Sequence, residues 1–331
     1  MPEHYVIEVE IATPLSVRTM IQNPSTRRLV PGLVMAAILA LGLPADRLAA
    51  QARIPAFDPS IEWLPASPRQ GRLFQLRVVG EPARPLSSVE GTVGGERLHL
   101  ESDGNGAFVG IAAVAVDADG ELTARVDLLY ADGSARTVEA LIPVATAPFD
   151  HEELTVAPRY GSPPSEEDRA LRAADVAKAR SVSEASHETP RLWTEDVLLP
   201  RDDRVTSGFG NGRVFNDQVS SRHMGLDLDG EPGDTVFAAA RGVVELVDSF
   251  QLAGNIVYLN HGAGLVSGYF HLSEQLVSAG DTVVAGTPIG RVGATGRVTG
   301  PHLHWVVRYG HVSVDPRSLL EVLPEVARED R

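Results

Sequence analysis

His302 and His304 flank a single leucine in TGPHLHW (residues 299–305) of a 331-residue chain that holds only ten histidines. In a β-strand, side chains two apart leave the same face, so both imidazoles would open into one space, either as surface residues or as half of a site. A second pair, His223 and Asp227, stands four apart in RHMGLDLDG, a spacing that on one strand also shares a face, with Gly225 between them leaving room for close approach. Three protein donors with one position left for water make a catalytic zinc site. The candidate ligands are therefore His223, Asp227 and His304. His302, sharing the face of His304, and His271 in GYFHL would stand beside the metal as proton carriers. Taken singly, each of these histidines reads as a surface or hydrogen-bonded core residue, and the HxH and HxxxD spacings are weak signals. Their combination within one glycine-rich segment is specific. The chain has no cysteine, which excludes disulfides, thiolate zinc sites and a cysteine nucleophile, so any metal falls to His, Asp or Glu.

The segments that must position these residues are mainly β. Over residues 198–325, glycine-punctuated runs such as DTVFAAARGVVELVD, GNIVYLNHG and GLVSGYFHL predict a small antiparallel β domain, and six of the ten histidines fall in it. Upstream, residues 61–147 alternate apolar and polar positions between the turn dipeptides Asp103-Gly104, Asp119-Gly120 and Asp132-Gly133. This pattern predicts an antiparallel β-sandwich of immunoglobulin-like size over residues 53–150, a spacer or binding module without clustered ligands. Between the two, residues 151–197 are expected to be a linker with a short helix. Ser165 can cap EEDRALRAADVAKAR, whose acidic start and basic end suit the helix dipole, and SVSEASHETP follows without periodicity.

Composition narrows the partners. With 44 acidic and 29 basic residues the net charge is −15, which argues against nucleic acid and anionic lipid, while 43% hydrophobic content is enough for two folded cores. Residues 1–52 read as a signal-peptide region. Arg27 and Arg28 precede a charge-free run over residues 29–43, and Ala50-Gln51-Ala52 offers a cleavage site, with Met20 as an alternative start. The run is too short for the roughly 20 residues of a spanning helix. The mature protein is thus expected to be secreted or periplasmic, monomeric and without a stable membrane span.

The blocks SGFGNGRVFN, HMGLDLDGEPGDTVFAAARGVV, GNIVYLNHGAGLVSGYFHLSE, VSAGDTVVAGTPIGRVGATGRVTGPHLHW and VDPRSLL resemble, in order, those of the M23 family of zinc metallopeptidases, the lysostaphin or LytM type. The resemblance spans about residues 198–323. It implies a lipoyl-like β fold, one Zn2+ on His223, Asp227 and His304, and His271 and His302 as a catalytic pair contacting the attacking water and the developing oxyanion. It also implies peptidoglycan peptides as substrate. His261 in LNHG is then structural, His311 a surface residue, and Asp315-Pro316 the start of the last helix. Asn216 becomes a candidate latent-state ligand, since an upstream asparagine fills the fourth metal position in one kind of inactive relative. The alternative reading is a non-catalytic wall-binding or hydrolase-activating protein, which the intact five-residue set disfavours. A lipoyl- or biotin-type carrier, suggested by GDTVVAGTPIG, would need a modifiable lysine there, and the single lysine is Lys178 in the linker helix.

Overall fold

A computed structural model describes residues 58–193 and 197–329; the leader expected over residues 1–52 lies outside them. Among the described residues no helix is long and apolar enough to cross a membrane. The alternation read in the N-terminal half is realised as strands. In Glu121–Tyr130 the side chains of Ala124, Val126, Leu128 and Tyr130 are buried while those between them face outward. This strand pairs with Leu86–Val93 and Ala135–Pro143 in one four-stranded antiparallel sheet. Leu73–Val79, between Ser60–Leu64 and Ala107–Ala113, centres a second. Phe74, Leu76, Val78, Val126, Leu128 and Ile142 fill the space between the sheets. Gly104, Gly120 and Gly133 adopt φ of 73°, 70° and 82°, the left-handed conformation expected of the Asp-Gly turns.

The C-terminal half is built on one large sheet whose strands run in the order Val205–Ser207, Leu226–Asp229, His302–Tyr309, Leu265–Leu272, Gly254–Gly262, Gly242–Phe250 and Thr282–Val283. The adjacent pairs are antiparallel. Every residue of Leu265–Leu272 is buried, because both faces of the sheet are covered there. On one face Tyr269, Leu303, Trp305 and Leu259 join the main core. On the other, Phe270, Tyr258 and Val306 pack with Ala179 and Val182 of the long helix.

That helix spans Glu166–Glu188, 23 residues, and is longer than the short helix expected. Its start is as read: Ser165 and Asp168 form a reciprocal capping box. Its continuation through SVSEASHE was hidden because the buried stripe consists of Ala179, Val182, Ser183 and Ser186, small residues at helical spacing that carry little hydropathy signal yet let the helix sit close to the sheet. Near its end His187 lies 3.0 Å from a Glu96 oxygen and 2.8 Å from the His99 ring, tying it to the N-terminal module.

The module and the C-terminal domain share apolar packing: Leu73, Ile111 and Ala113 belong to the same cluster as Leu319 and Leu323 of the last helix, Arg317–Glu329. Asp315, just before that helix, accepts from the Arg72 guanidinium at 3.3 Å and from the Arg317 backbone N–H at 3.0 Å. The buried Leu73 N–H donates to Ser318 Oγ at 3.1 Å. Replacing Ser318 with alanine strands that N–H, and urea denaturation should show a loss of about 1–3 kcal/mol. An unchanged midpoint would mean that the module docks without this bond.

Candidate metal centre

Register places the centre. Leu226–Asp229 pairs antiparallel with His302–Tyr309 so that Asp227 stands directly opposite His304, and side chains of opposed residues share a face. His223 reaches the same point from outside the strand. The strand Val219–Arg222 ends just before it, and the chain bends through Met224 and Gly225, so His223 and Asp227 do not share a strand as their spacing suggested. Gly225 is required at the bend: a Cβ there would lie 2.6 Å from the Trp305 carbonyl oxygen and 2.7 Å from His304 Cε1.

The three side chains converge. His223 Nε2 is 2.9 Å from Asp227 Oδ1 and 2.9 Å from His304 Nδ1, and His304 Nδ1 is 2.7 Å from Asp227 Oδ1. The His223 Nδ1 lies 2.7 Å from the Gly208 carbonyl oxygen, which can only accept, so the ring proton is on Nδ1 and Nε2 presents a lone pair. A lone pair, a carboxylate oxygen and a second imidazole nitrogen facing one another repel unless positive charge sits among them. A proton can serve one contact; a metal ion serves all three at once. The donor set of two nitrogens and one oxygen, within 4.8 Å of one another, is the kind that suits Zn2+. Burial disfavours the charge of Asp227, but the His223 and His304 rings set against it outweigh that cost and hold the carboxyl well below the usual range. Burial, with His223 and His302 nearby, pushes His304 down to about 4 against the opposing pull of Asp227, so its ring is neutral at physiological pH and fit to ligate.

His302 and His271 come to the same place by different means. His302 follows from strand alternation, its Nε2 lying 3.6 Å from Asp227 Oδ1 while its Nδ1 donates to the Gly300 carbonyl at 2.9 Å. Thus His304, and not His302, joins the converging set. Alternation would turn His271 away, since Phe270 is the residue opposite His304. The pairing of Leu265–Leu272 with Gly254–Gly262 slips between Val257↔Tyr269 and Asn255↔Leu272, leaving Phe270 and His271 against the single residue Ile256. At this β-bulge His271 takes φ of 63°, a left-handed conformation uncommon for a residue with a side chain. Its ring centroid comes to 5.0 Å from that of His302 and 5.7 Å from that of His304. Its Nδ1 donates to the Thr295 carbonyl at 2.7 Å. Burial, with His304 and His302 nearby, holds its pKa well below the ordinary value. Both rings therefore carry their proton on Nδ1, leaving Nε2 able to accept one.

Several groups around the centre carried no isolated signal. Arg213 Nη2 donates to Asp227 Oδ2 at 2.6 Å, fixing the carboxylate so that Oδ1 faces the histidines, and its Nε donates to Glu152 at 2.8 Å. Glu152 also accepts from Ser207 at 2.5 Å and Asn211 at 2.8 Å. Burial opposes its ionisation, yet these donors lower its pKa. Arg213 lies within the SGFGNGRVFN block, but Glu152 falls in the expected linker. It arrives because His151–Leu154 forms a strand pairing in parallel with Gly212–Phe215. Asn216 does not face the centre: its amide exchanges two hydrogen bonds with the Val156 backbone, at 2.9 and 3.0 Å. His261 is fully buried between the Arg241 carbonyl and Ser267 Oγ, each at 2.7 Å, and burial pushes it down to about 4, while His311 is exposed. Glu152, Arg213, Asp227, His271, Arg297 and His302 line a cleft of 460 Å³ beside the centre.

A metal-type donor set on adjacent antiparallel strands, open to a cleft that also holds His271 and His302, is the arrangement expected of a β-fold metallopeptidase. Residues 221–316 match the model of Peptidase family M23, and this part of the chain is an M23 peptidase domain. The chain is 38% identical over 118 residues to the peptidoglycan DD-endopeptidase ShyC of Vibrio cholerae, covering 35% of this chain and 27% of that protein. It is 38% identical over 128 residues to the DD-carboxypeptidase/endopeptidase Mpg of Neisseria meningitidis, covering 39% and 30%. The match thus spans less than a third of either relative. A crystal structure from Pseudomonas aeruginosa, described as a peptidase M23, shares the fold with a TM-score of 0.58 at 22% identity, over 77% of this chain and 95% of that one.

Replacing Arg213 with methionine frees the outer oxygen of Asp227. Competition with a chromogenic chelator should then show Zn2+ affinity reduced about 10–100-fold. Unchanged affinity would show that Asp227 is oriented by the sheet alone.

Proposed function

We propose that this protein is a zinc metalloendopeptidase of the cell envelope, exported by its N-terminal leader, that acts as a monomer and hydrolyses peptide bonds in peptidoglycan stem or cross-link peptides. The observation that carries the reading is the convergence of His223 Nε2, Asp227 Oδ1 and His304 Nδ1 beside two histidines whose Nδ1 protons are committed to backbone carbonyls. The M23 match and the names of the relatives agree with it.

His223, Asp227 and His304 would hold one Zn2+. When bound, the ion supplies Lewis acidity, lowering the pKa of a water toward ~7 and polarising the scissile carbonyl. Asp227 brings one negative charge, and Arg213 prevents it from turning away. His271 and His302 act at Nε2: one takes the proton of the attacking water and passes it to the leaving amine, and the other, when Nε2 carries a proton as well as Nδ1, donates to the oxygen that gains charge. With Nδ1 held by Thr295 and Gly300, neither ring can present the wrong nitrogen, so no tautomer change is needed before the first transfer. Burial keeps His271 neutral, as a proton acceptor must be.

The test uses purified cross-linked wall peptides with products read by mass spectrometry. His304→Ala and Asp227→Ala should lose both zinc and cleavage. His271→Ala and His302→Ala should keep zinc while kcat falls about 10²–10⁴-fold. A chelator should abolish cleavage and added Zn2+ restore it. Full zinc content and full hydrolysis in His304→Ala would sink the ligand assignment. Zinc binding without any wall cleavage would favour the non-catalytic alternative.

A further inference from the structure

Arg297 lies in the same cleft as His271 and His302. Among the described residues its guanidinium makes no hydrogen bond or ion pair; it lies over the Phe215 ring, whose centre is 4.0 Å from Cζ. The charges nearest to it are of its own sign, Arg172 and Arg213. Arg213 is already bound to Asp227 and Glu152, and Arg172 donates to the neutral Gln251. Burial, aided by those two cations, pushes Arg297 down to about 10, so it remains charged at neutral pH. A half-buried cation among cations, without a counter-ion, is costly to hold. The fold nevertheless fixes it: the Arg297 N–H donates to the Leu252 carbonyl at 2.8 Å, and the Phe215 face orients the guanidinium plane. Its N–H fork is left free for a planar anion.

Position narrows the choice of anion. Residues 295–300 of one loop supply the Thr295 carbonyl that orients His271, the Gly300 carbonyl that orients His302, and Arg297 between them. A proton delivered by either histidine must reach the leaving nitrogen, so the carbon bearing that nitrogen lies in the cleft that these histidines share with Arg297. When D-alanine acylates the side-chain amine of a diamino dicarboxylic acid, that carbon carries a free carboxylate. When it acylates lysine, it carries none.

We infer that Arg297 is a specificity-determining residue that binds the carboxylate on the carbon bearing the leaving nitrogen, selecting cross-links made through a diamino dicarboxylic acid. This rests on the peptidase reading above, but binding tests it separately from cleavage. The full-length zinc-loaded protein is titrated calorimetrically with two synthetic peptides, each with D-alanine amide-linked to a side-chain amine, whose adjacent carbon bears either a free carboxylate or a primary carboxamide; kcat/KM is measured on the same pair. The native protein should prefer the carboxylate peptide about 10–100-fold in both measurements. Arg297→Gln should bring the carboxylate peptide down to the level of the carboxamide, with zinc content and thermal midpoint unchanged. Equal handling of the two peptides by the native protein overturns the inference, whether or not the variant folds. So does an equal loss on both peptides in Arg297→Gln, which would make its stacking on Phe215 purely structural. Discrimination in binding without cleavage of either peptide would uphold Arg297 and defeat the peptidase reading.

Discussion

Two imidazole nitrogens and a carboxylate oxygen, held mutually within 3 Å and with the His223 proton directed elsewhere, repel one another unless positive charge lies among them. Much of the domain can be understood as the means of enforcing that arrangement. The Asp227↔His304 register supplies two of the donors, the bend at Gly225 supplies the third, and Arg213 and Glu152 clamp the carboxylate from behind. Register, bend and clamp together leave these donors little freedom to turn away from a cation shared among them.

Backbone carbonyls do much of the orienting. Gly208, Thr295 and Gly300 each accept the Nδ1 proton of one histidine, so the state of three rings is fixed by main chain that no side-chain substitution removes. The bulge at His271 is the expensive part of this design. A left-handed residue with a side chain costs of order 1 kcal/mol or more, and it persists because the paired strands on either side leave it no other conformation. What the strain achieves is to bring His271 onto the face it would otherwise avoid.

The parts outside the M23 segment are joined to it physically. The strand His151–Leu154 delivers Glu152 to the clamp, and the helix Glu166–Glu188 covers the sheet beside Phe270. The N-terminal module packs Leu73 and Ile111 against the last helix. The similarity in fold to the Pseudomonas aeruginosa structure also reaches well beyond residues 221–316.

The sequence alone picked out the candidate residues. Residue types and short spacings named His223, Asp227, His304, His271 and His302, the mainly β character and the Asp-Gly turns, because strand periodicity and turn preference are local properties that survive in one dimension. It could not show that His223 approaches from a bend, that a bulge reverses His271, or that eight further residues continue the helix on a stripe of small side chains. Nor could it assign the waiting roles: Asn216 is bound to Val156, while Glu152, expected in a linker, supports the centre, and among the described residues Arg297 stands unpaired in the cleft. These outcomes depend on which strands pair, in what register and across which bulge. Such pairings join residues far apart in the chain, and the energies that decide them come from packing and hydrogen bonds formed only once the sheet is assembled.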